Sequence, residues 1–237
     1  MKTCTCTQIC SDTMWLKCAS LDVTGPENAT QALLVIYDIF GYQDQILQGA
    51  DILAHSDKEH QYQVYMPDFF DEDYISLSDY PPQTQEQKSK IGAWFGDKAN
   101  PEKAQKRIPQ CLQAAEESNS NIKTWGALGY CWGGKMVSLA SGSGTPFKAA
   151  AQTSPAMIDP KDAEKITIPM CMLASKDEPA EDVKKYEQTL KGVKHVEIYE
   201  TQLHGFMSAR GDLKDAEVRK EYERGYKTVL TFFHENL

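Results

Sequence analysis

Residues 122–134 read IKTWGALGYCWGG. Residues 122–128 predict a strand, and the residues after the glycine-rich turn predict a helix. Within the turn, Gly129 and Gly133 stand two residues before and two residues after Cys131. Small residues at these positions let a strand and a helix approach closely around a sharp turn that exposes the central side chain above the sheet. The segment therefore predicts an α/β fold with Cys131 as a candidate nucleophile, at a helix N-terminus whose dipole stabilises a thiolate.

Cys131 also has a plainer interpretation. Cysteine is among the residue types most often buried, so a cysteine beside a glycine turn can simply belong to the core. The strand–turn–helix context favours the catalytic interpretation, and Cys131 alone among the seven cysteines occupies such a turn.

The rest of the chain alternates between predicted strands and helices. Strands are predicted at residues 32–37, 62–66, 147–152, 166–174 and 193–199, and helices at 44–57, 101–118, 180–191 and 215–235. This alternation is typical of right-handed crossovers and of a mostly parallel central sheet with helices on both faces. We expect one domain over residues 1–237, with a polar N-terminal segment at 1–30 and an acidic, aromatic excursion on the catalytic side of the sheet at 71–100.

Two further candidates follow Cys131 in the order nucleophile, acid, histidine, which is the order found in α/β-hydrolases. Asp177 and His204 each come just after a predicted strand, at the end where α/β sheets place their sites. We expect Asp177 to orient His204, which acts as the base. Alternatively, Asp177 only caps the next helix and His204 is a loop histidine without a catalytic task. Other acids lie close to Asp177, namely Glu178, Glu181 and Asp182.

The loop after the first predicted strand contains Asp38 and Ile39. In α/β-hydrolases this loop supplies the second oxyanion donor, so the backbone N–H groups of Ile39 and Trp132 are the expected pair. Asp38 then lies near the thiol, where a carboxylate disfavours a thiolate because two anions repel each other. The plainer alternative is a turn carboxylate that braces the loop.

Several blocks of the sequence resemble, in the same order, those of the dienelactone hydrolases, also called carboxymethylenebutenolidases. The blocks are Asp38-Ile-Phe-Gly41, Pro67-Asp-Phe-Phe70, Gly129-Tyr-Cys-Trp-Gly-Gly134, Asp177 and His204-Gly-Phe206. The resemblance runs from about residue 30 to the C-terminus, and its most specific element is the cysteine, because most α/β-hydrolases carry serine there. It implies an α/β-hydrolase fold, a triad of cysteine, histidine and aspartate, and lactones or related esters as substrates.

The resemblance also bears on residues around the triad. Bacterial members carry glutamate where Asp38 stands, and there it holds the resting thiol. Arg210, six residues after His204, is a candidate clamp for a substrate carboxylate, with a solvated surface charge as the alternative. Tyr130 and Trp94 are further candidates for substrate contact, although aromatic side chains often only pack.

Composition limits the partners. A formal charge of −9 argues against nucleic acid and against anionic membranes, and no apolar run is long enough to span a bilayer. The N-terminus lacks the apolar segment of a secretory signal, and seven irregularly spaced cysteines predict reduced thiols in the cytoplasm. Cys4, Cys6 and Cys10 are spaced too tightly for a usual zinc site, so neither a metal nor a cofactor is expected.

These observations together predict a hydrolase that cleaves a lactone, ester or thioester of a small organic acid, as a monomer or a homodimer. Two alternatives belong to other classes: a non-catalytic small-molecule-binding member of the fold, and a cysteine peptidase. The intact set of three candidate residues argues against the first. Papain-type peptidases place their cysteine near the mature N-terminus, whereas Cys131 lies in mid-chain, which argues against the second.

Overall fold

The computed structural model describes residues 21–237. The strands are β1 (Leu21–Thr24), β2 (Gln31–Ile36), β3 (Tyr62–Pro67), β4 (Thr124–Tyr130), β5 (Phe147–Thr153), β6 (Met170–Ser175) and β7 (Lys194–Tyr199). The helices are α1 (Asp44–His55), α2 (Gln85–Asp97), α3 (Pro101–Ser118), α4 (Trp132–Ala140), α5 (Pro160–Ala163), α6 (Ala180–Thr189) and α7 (Ala216–Asn236). Cys4, Cys6 and Cys10, with most of the polar N-terminal segment, lie outside the described residues.

The strands form one seven-stranded sheet in the order β1-β3-β2-β4-β5-β6-β7. Only β1 at the edge runs antiparallel, and the other six strands pair in parallel. The central strands β2 and β4 are buried almost throughout, as expected for parallel strands covered by helices on both faces. The predicted α/β-hydrolase arrangement, a mostly parallel sheet surrounded by helices, is therefore confirmed.

Three elements were not expected from the sequence. The edge strand β1 lies in the polar N-terminal segment, and α5 occupies part of the connection before β6. Strand β6 itself begins four residues later than predicted. The excursion at 71–100 contains α2, which begins with a capping box between Thr84 and Gln87. Its low content of periodic apolar residues explains why helical spacing was not evident, since only Ile91 and Trp94 are buried.

The topology brings the candidate residues to one edge of the sheet. The carboxyl ends of parallel strands meet at the same edge, so the segments that follow β2, β4, β6 and β7 lie beside one another. These segments carry Asp38, Cys131, the acids after β6, and His204. Within residues 21–237, no helix is both long enough and apolar enough to cross a membrane.

Candidate active site

Cys131 occupies a strained turn between β4 and α4. Its backbone has φ 52° and ψ −112°, a conformation that costs a residue with a Cβ about 1–3 kcal/mol. The turn is held by backbone hydrogen bonds, from the Cys131 N–H to the Thr153 carbonyl oxygen at 3.1 Å and from the Ala156 N–H to the Cys131 carbonyl oxygen at 3.0 Å. The Cys131 side chain is partly exposed, whereas Cys111 and Cys171 are buried. Of these three cysteines, Cys131 is therefore the one that a substrate can reach, and it is also the one with a strained backbone.

The glycines around Cys131 are required by close contacts. A Cβ on Gly129 would lie 2.1 Å from the carbonyl oxygen of Gly133, and a Cβ on Gly133 would lie 2.0 Å from the carbonyl oxygen of Ile36. Both distances are too short for real atoms, so any side chain would push α4 away from β2 and β4. The predicted reason for these two glycines, close approach of strand and helix, is confirmed.

His204 follows β7 and contacts both the thiol and a carboxylate. Its Nδ1 lies 2.6 Å from Oε1 of Glu178, and its side chain is hydrogen-bonded to Cys131. Burial by itself lowers the pKa of His204, but the hydrogen bonds to Cys131 and Glu178 outweigh burial and raise this pKa to about 10. The arrangement therefore favours a protonated imidazole held between the sulfur of Cys131 and the carboxylate of Glu178.

The expected role of Asp177 is wrong in this structure. Its Oδ2 accepts a hydrogen bond from the backbone N–H of His204 at 2.8 Å, not from the imidazole. Glu178, one residue later, contacts the ring instead. Asp177 thus holds the loop that carries His204, while Glu178 holds the imidazole.

The conformation of the turn after β6 explains why Glu178, and not Asp177, contacts the imidazole of His204. Glu178 is buried and folds back, so that its Oε2 accepts a hydrogen bond from the backbone N–H of Ser175 while its Oε1 meets the ring. Asp177 points outward and is exposed. The longer glutamate side chain bridges the distance from the strand end to His204. Adjacent acids in a turn look alike in sequence, and only the direction of the turn distinguishes them.

Asp38 ties two loops of the site together. Its buried carboxylate accepts hydrogen bonds from the backbone N–H of Phe40 at 2.9 Å and of Ala209 at 3.2 Å, and it is also bonded to the side chain of Ser208. Burial raises the pKa of Asp38 above its usual value, although these hydrogen bonds act in the opposite direction. The contacts support the plainer alternative, in which Asp38 braces the loop after β2 and joins it to the loop that carries His204.

The two residues expected to supply the oxyanion donors, Trp132 and Ile39, lie in segments that hydrogen bonds hold in place. Trp132 is the first residue of α4, where backbone N–H groups have no partner within the helix. Its buried indole donates a hydrogen bond to the Ala99 carbonyl oxygen at 2.9 Å and so anchors the helix start. The carbonyl oxygen of Ile39 accepts from the backbone N–H of Ile75 at 3.1 Å, which fixes that peptide against the excursion.

Two of the expected substrate contacts are core residues. Tyr130 is fully buried, and its hydroxyl lies 2.6 Å from that of Tyr226 in α7, so the expectation for Tyr130 is wrong. Its side chain extends along β4 into the core because alternate residues of a strand point to opposite faces. Trp94 is buried within the excursion, packs against Phe70 and donates to the Asp73 carbonyl oxygen at 2.7 Å. The cavity that Trp94 lines contains none of the triad candidates, so this expectation is not supported either.

Arg210 is exposed and lies close to the loop of His204. A Cβ on Gly205 would lie 3.4 Å from the Cβ of Arg210, which places this arginine beside the residue that follows the histidine. Within residues 21–237 the arginine ion pairs are those of Arg107 and Arg224, so the guanidinium of Arg210 remains available to an anion.

Comparison with known proteins assigns the chain to a family. A model of the dienelactone hydrolase family matches residues 22–237. The chain is 31% identical over 216 residues to an AIM2 family protein of Schizosaccharomyces pombe, covering 89% of this chain and 85% of that protein. It is 30% identical over 221 residues to hydrolase tropI of Talaromyces stipitatus, covering 89% and 84%.

Solved structures show the same fold. The structure of a dienelactone hydrolase from Anabaena variabilis superposes with a TM-score of 0.66 over 92% of each chain, at 12% identity. The family match over nearly the whole described chain, together with the cysteine turn and its histidine, identifies the protein: it belongs to the dienelactone hydrolase family, a family of hydrolases.

Proposed function

We propose that the protein hydrolyses a lactone, ester or thioester of a small organic acid through an acyl-cysteine intermediate. The observation that carries this proposal is the chain of contacts from Cys131 to His204 and from His204 to Glu178. A thiol in a strained, partly exposed turn, hydrogen-bonded to a histidine that a buried carboxylate orients, is the arrangement that nucleophilic catalysis requires.

His204 activates the nucleophile. Its Nδ1 is engaged by Glu178, so its Nε2 faces Cys131 and accepts the thiol proton. The resulting imidazolium is stabilised by the carboxylate of Glu178, as in other nucleophile–histidine–acid triads. The thiolate of Cys131 then attacks the carbonyl carbon of the substrate, and the carbonyl π electrons move to oxygen.

The backbone N–H groups of Trp132 and Ile39 bind the oxyanion. In a serine protease, one such donor stabilises the transition state by about 3 kcal/mol. When the carbonyl re-forms, the bond to the leaving oxygen or sulfur breaks, and His204 gives that atom its proton. The product of this half-reaction is a thioester on Cys131.

Water completes the cycle. His204, now neutral, takes a proton from a water molecule that attacks the thioester carbonyl. The second oxyanion collapses, the bond to Cys131 breaks, and the thiolate and the carboxylic acid product separate. No step consumes a metal or cofactor, and the proton balance closes through His204.

Arg210 supports an anionic substrate class. The formal charge of −9 repels carboxylates in general, so a cationic side chain beside the site offsets this repulsion locally. Because Arg210 is exposed next to the His204 loop, a carboxylate on the acyl or leaving group fits this side of the site.

The test is a panel of lactones, aryl esters and thioesters assayed with the wild type, Cys131→Ala and His204→Gln. We expect hydrolysis in the wild type, its loss in both variants, and a trapped acyl group on the peptide containing Cys131 by mass spectrometry after rapid acid quench. Buried Cys171→Ala is the matched control and should retain activity. Full activity in Cys131→Ala, or an acyl group on another residue, would refute the mechanism.

A further inference from the structure

A group of three side chains lies at the sheet edge opposite the active site. Asp57 and His60 belong to the connection between α1 and β3, and His234 lies in the last turn of α7. One potential ligand atom from each lies within 4.8 Å of the other two. Asp57 and His234 are 177 residues apart in the chain, so sequence spacing does not reveal the group.

The distances suit a shared cation. Oδ2 of Asp57 lies 3.1 Å from Nδ1 of His234 and 3.7 Å from Nδ1 of His60. A tetrahedral zinc ion with bonds of about 2.0–2.1 Å holds its ligand atoms roughly 3.3 Å apart. The two observed distances bracket this value, so Oδ2 of Asp57 lies close to the spacing from each imidazole that a shared ion requires.

The carboxylate is already oriented. Oδ1 of Asp57 accepts the backbone N–H groups of Glu59 at 2.9 Å and of His60 at 3.1 Å, which leaves Oδ2 directed at the two imidazoles. The hydrogen bond to His234, with these backbone bonds, lowers the pKa of Asp57 below its usual value. Metal ligands are commonly held by such second contacts.

One ligand atom of the group makes no hydrogen bond within residues 21–237. Nδ1 of His60 is shielded from solvent and makes no hydrogen bond within residues 21–237. A buried polar atom without a hydrogen bond is costly, and a bound cation would satisfy it. The centroids of the His60 and His234 rings are only 3.7 Å apart, so the two imidazoles lie against each other.

The surroundings are open and acidic. A surface cavity of about 700 Å³ adjoins the group and is lined by Asp57 and His234 together with Glu223, Lys227 and Glu235. Three carboxylates against one lysine favour a cation there. The opening also leaves room for water as a fourth ligand, as in three-residue zinc sites.

We propose that Asp57, His60 and His234 form a binding site for a divalent transition-metal ion of the zinc class. Imidazole and carboxylate are donors that zinc accepts, whereas a set of oxygen donors alone would favour magnesium or calcium. A metal here links the end of α7 to the entrance of β3 and stabilises the C-terminal helix. The site does not depend on the catalytic mechanism, because its ligands lie at the other edge of the sheet.

The experiment measures zinc binding by the full chain after alkylation with iodoacetamide, which removes Cys131 and other reachable thiols as competing ligands. Isothermal titration with zinc chloride should give one ion per chain. His60→Ala and His234→Ala should each weaken binding by roughly 100-fold or more, because loss of a ligand exceeds the tenfold to 100-fold cost of losing an outer contact. Exposed His195→Ala is the matched control and should bind as the wild type does.

Two further readouts make the result independent of folding in the variants. Zinc should raise the Tm of the alkylated wild type but not that of His234→Ala, with circular dichroism reporting the fold of each protein without metal. Cobalt(II) added to the unmutated chain should broaden the NMR signals of the His60 and His234 rings selectively. The proposal would be overturned if saturable zinc binding persisted in both alanine variants, or if the wild type showed no saturable binding. It would also be overturned if cobalt(II) broadened the NMR signals of other residues instead of the two histidine rings.

Discussion

Replacing Glu178 with glutamine tests which acid orients His204. The substitution is isosteric, but its amide can accept at only one of the two atoms that the carboxylate uses. The backbone N–H of Ser175 needs an acceptor, so the amide oxygen remains there and the NH₂ group faces Nδ1 of His204. Nδ1 must then be the unprotonated nitrogen, which leaves a proton on Nε2. In that tautomer His204 cannot accept the proton of Cys131.

The magnitude follows from two effects. A hydrogen bond to a charged partner contributes about 1.5–3 kcal/mol, which corresponds to a loss of roughly 10-fold to 100-fold in rate. The wrong tautomer of His204 lowers the rate further. The equivalent change of aspartate to asparagine in a serine protease triad lowers kcat by about 10⁴. We therefore expect Glu178→Gln to lower kcat by between roughly 10² and 10⁴.

Asp177→Asn is the matched control. The asparagine oxygen can still accept the backbone N–H of His204, so the loop remains in place and kcat should fall by less than about tenfold. The assay is steady-state hydrolysis of the best ester or lactone of the panel, with Tm confirming that both variants fold. A larger loss in Asp177→Asn than in Glu178→Gln would refute the assignment of Glu178.

An NMR titration of His204 gives a second readout that needs no substrate. In the wild type the pKa of His204 is raised to about 10, so the imidazolium should persist as the pH rises until it is lost near pH 10. Glu178→Gln removes one of the contacts that raise this pKa, so the transition should move to lower pH. An unchanged midpoint would show that Glu178 does not support the charged ring.

Three other substitutions, the first with a matched control, test the groups around the site. Gly133→Ala should destabilise the fold by several kcal/mol, because the added Cβ would meet the Ile36 carbonyl oxygen. The control Gly92→Ala adds a Cβ in open space within α2 and should stabilise the fold by about 0.5–1 kcal/mol. Urea denaturation measures both changes. Asp38→Ala leaves two buried backbone N–H groups without an acceptor and should cost about 2–6 kcal/mol of unfolding free energy; an unchanged denaturation midpoint would contradict the bracing role. Arg210→Ala should raise KM by about 10-fold or more for carboxylate-bearing esters and leave neutral esters unaffected, and equal effects on both would exclude a carboxylate clamp.

Local sequence was sufficient to predict most of the strands and helices and to select Cys131 and His204 as candidates. The elbow glycines around Cys131 act on their immediate neighbours, so their spacing alone predicts a strand, a turn and a helix. His204 could be selected because only one histidine follows the carboxyl end of a predicted strand, and the direction of parallel strands is set by their crossover connections.

Tertiary structure decided which side chains meet. Asp177 and Glu178 are adjacent in sequence, and only the fold of the turn after β6 buries one and exposes the other. Tyr130 stands beside the nucleophile in sequence, yet strand alternation directs its side chain into the core. Asp57 and His234 come together only because α7 packs back across the sheet to the start of β3. Composition and periodicity report burial and local conformation, whereas contacts between distant residues depend on how the whole chain is packed.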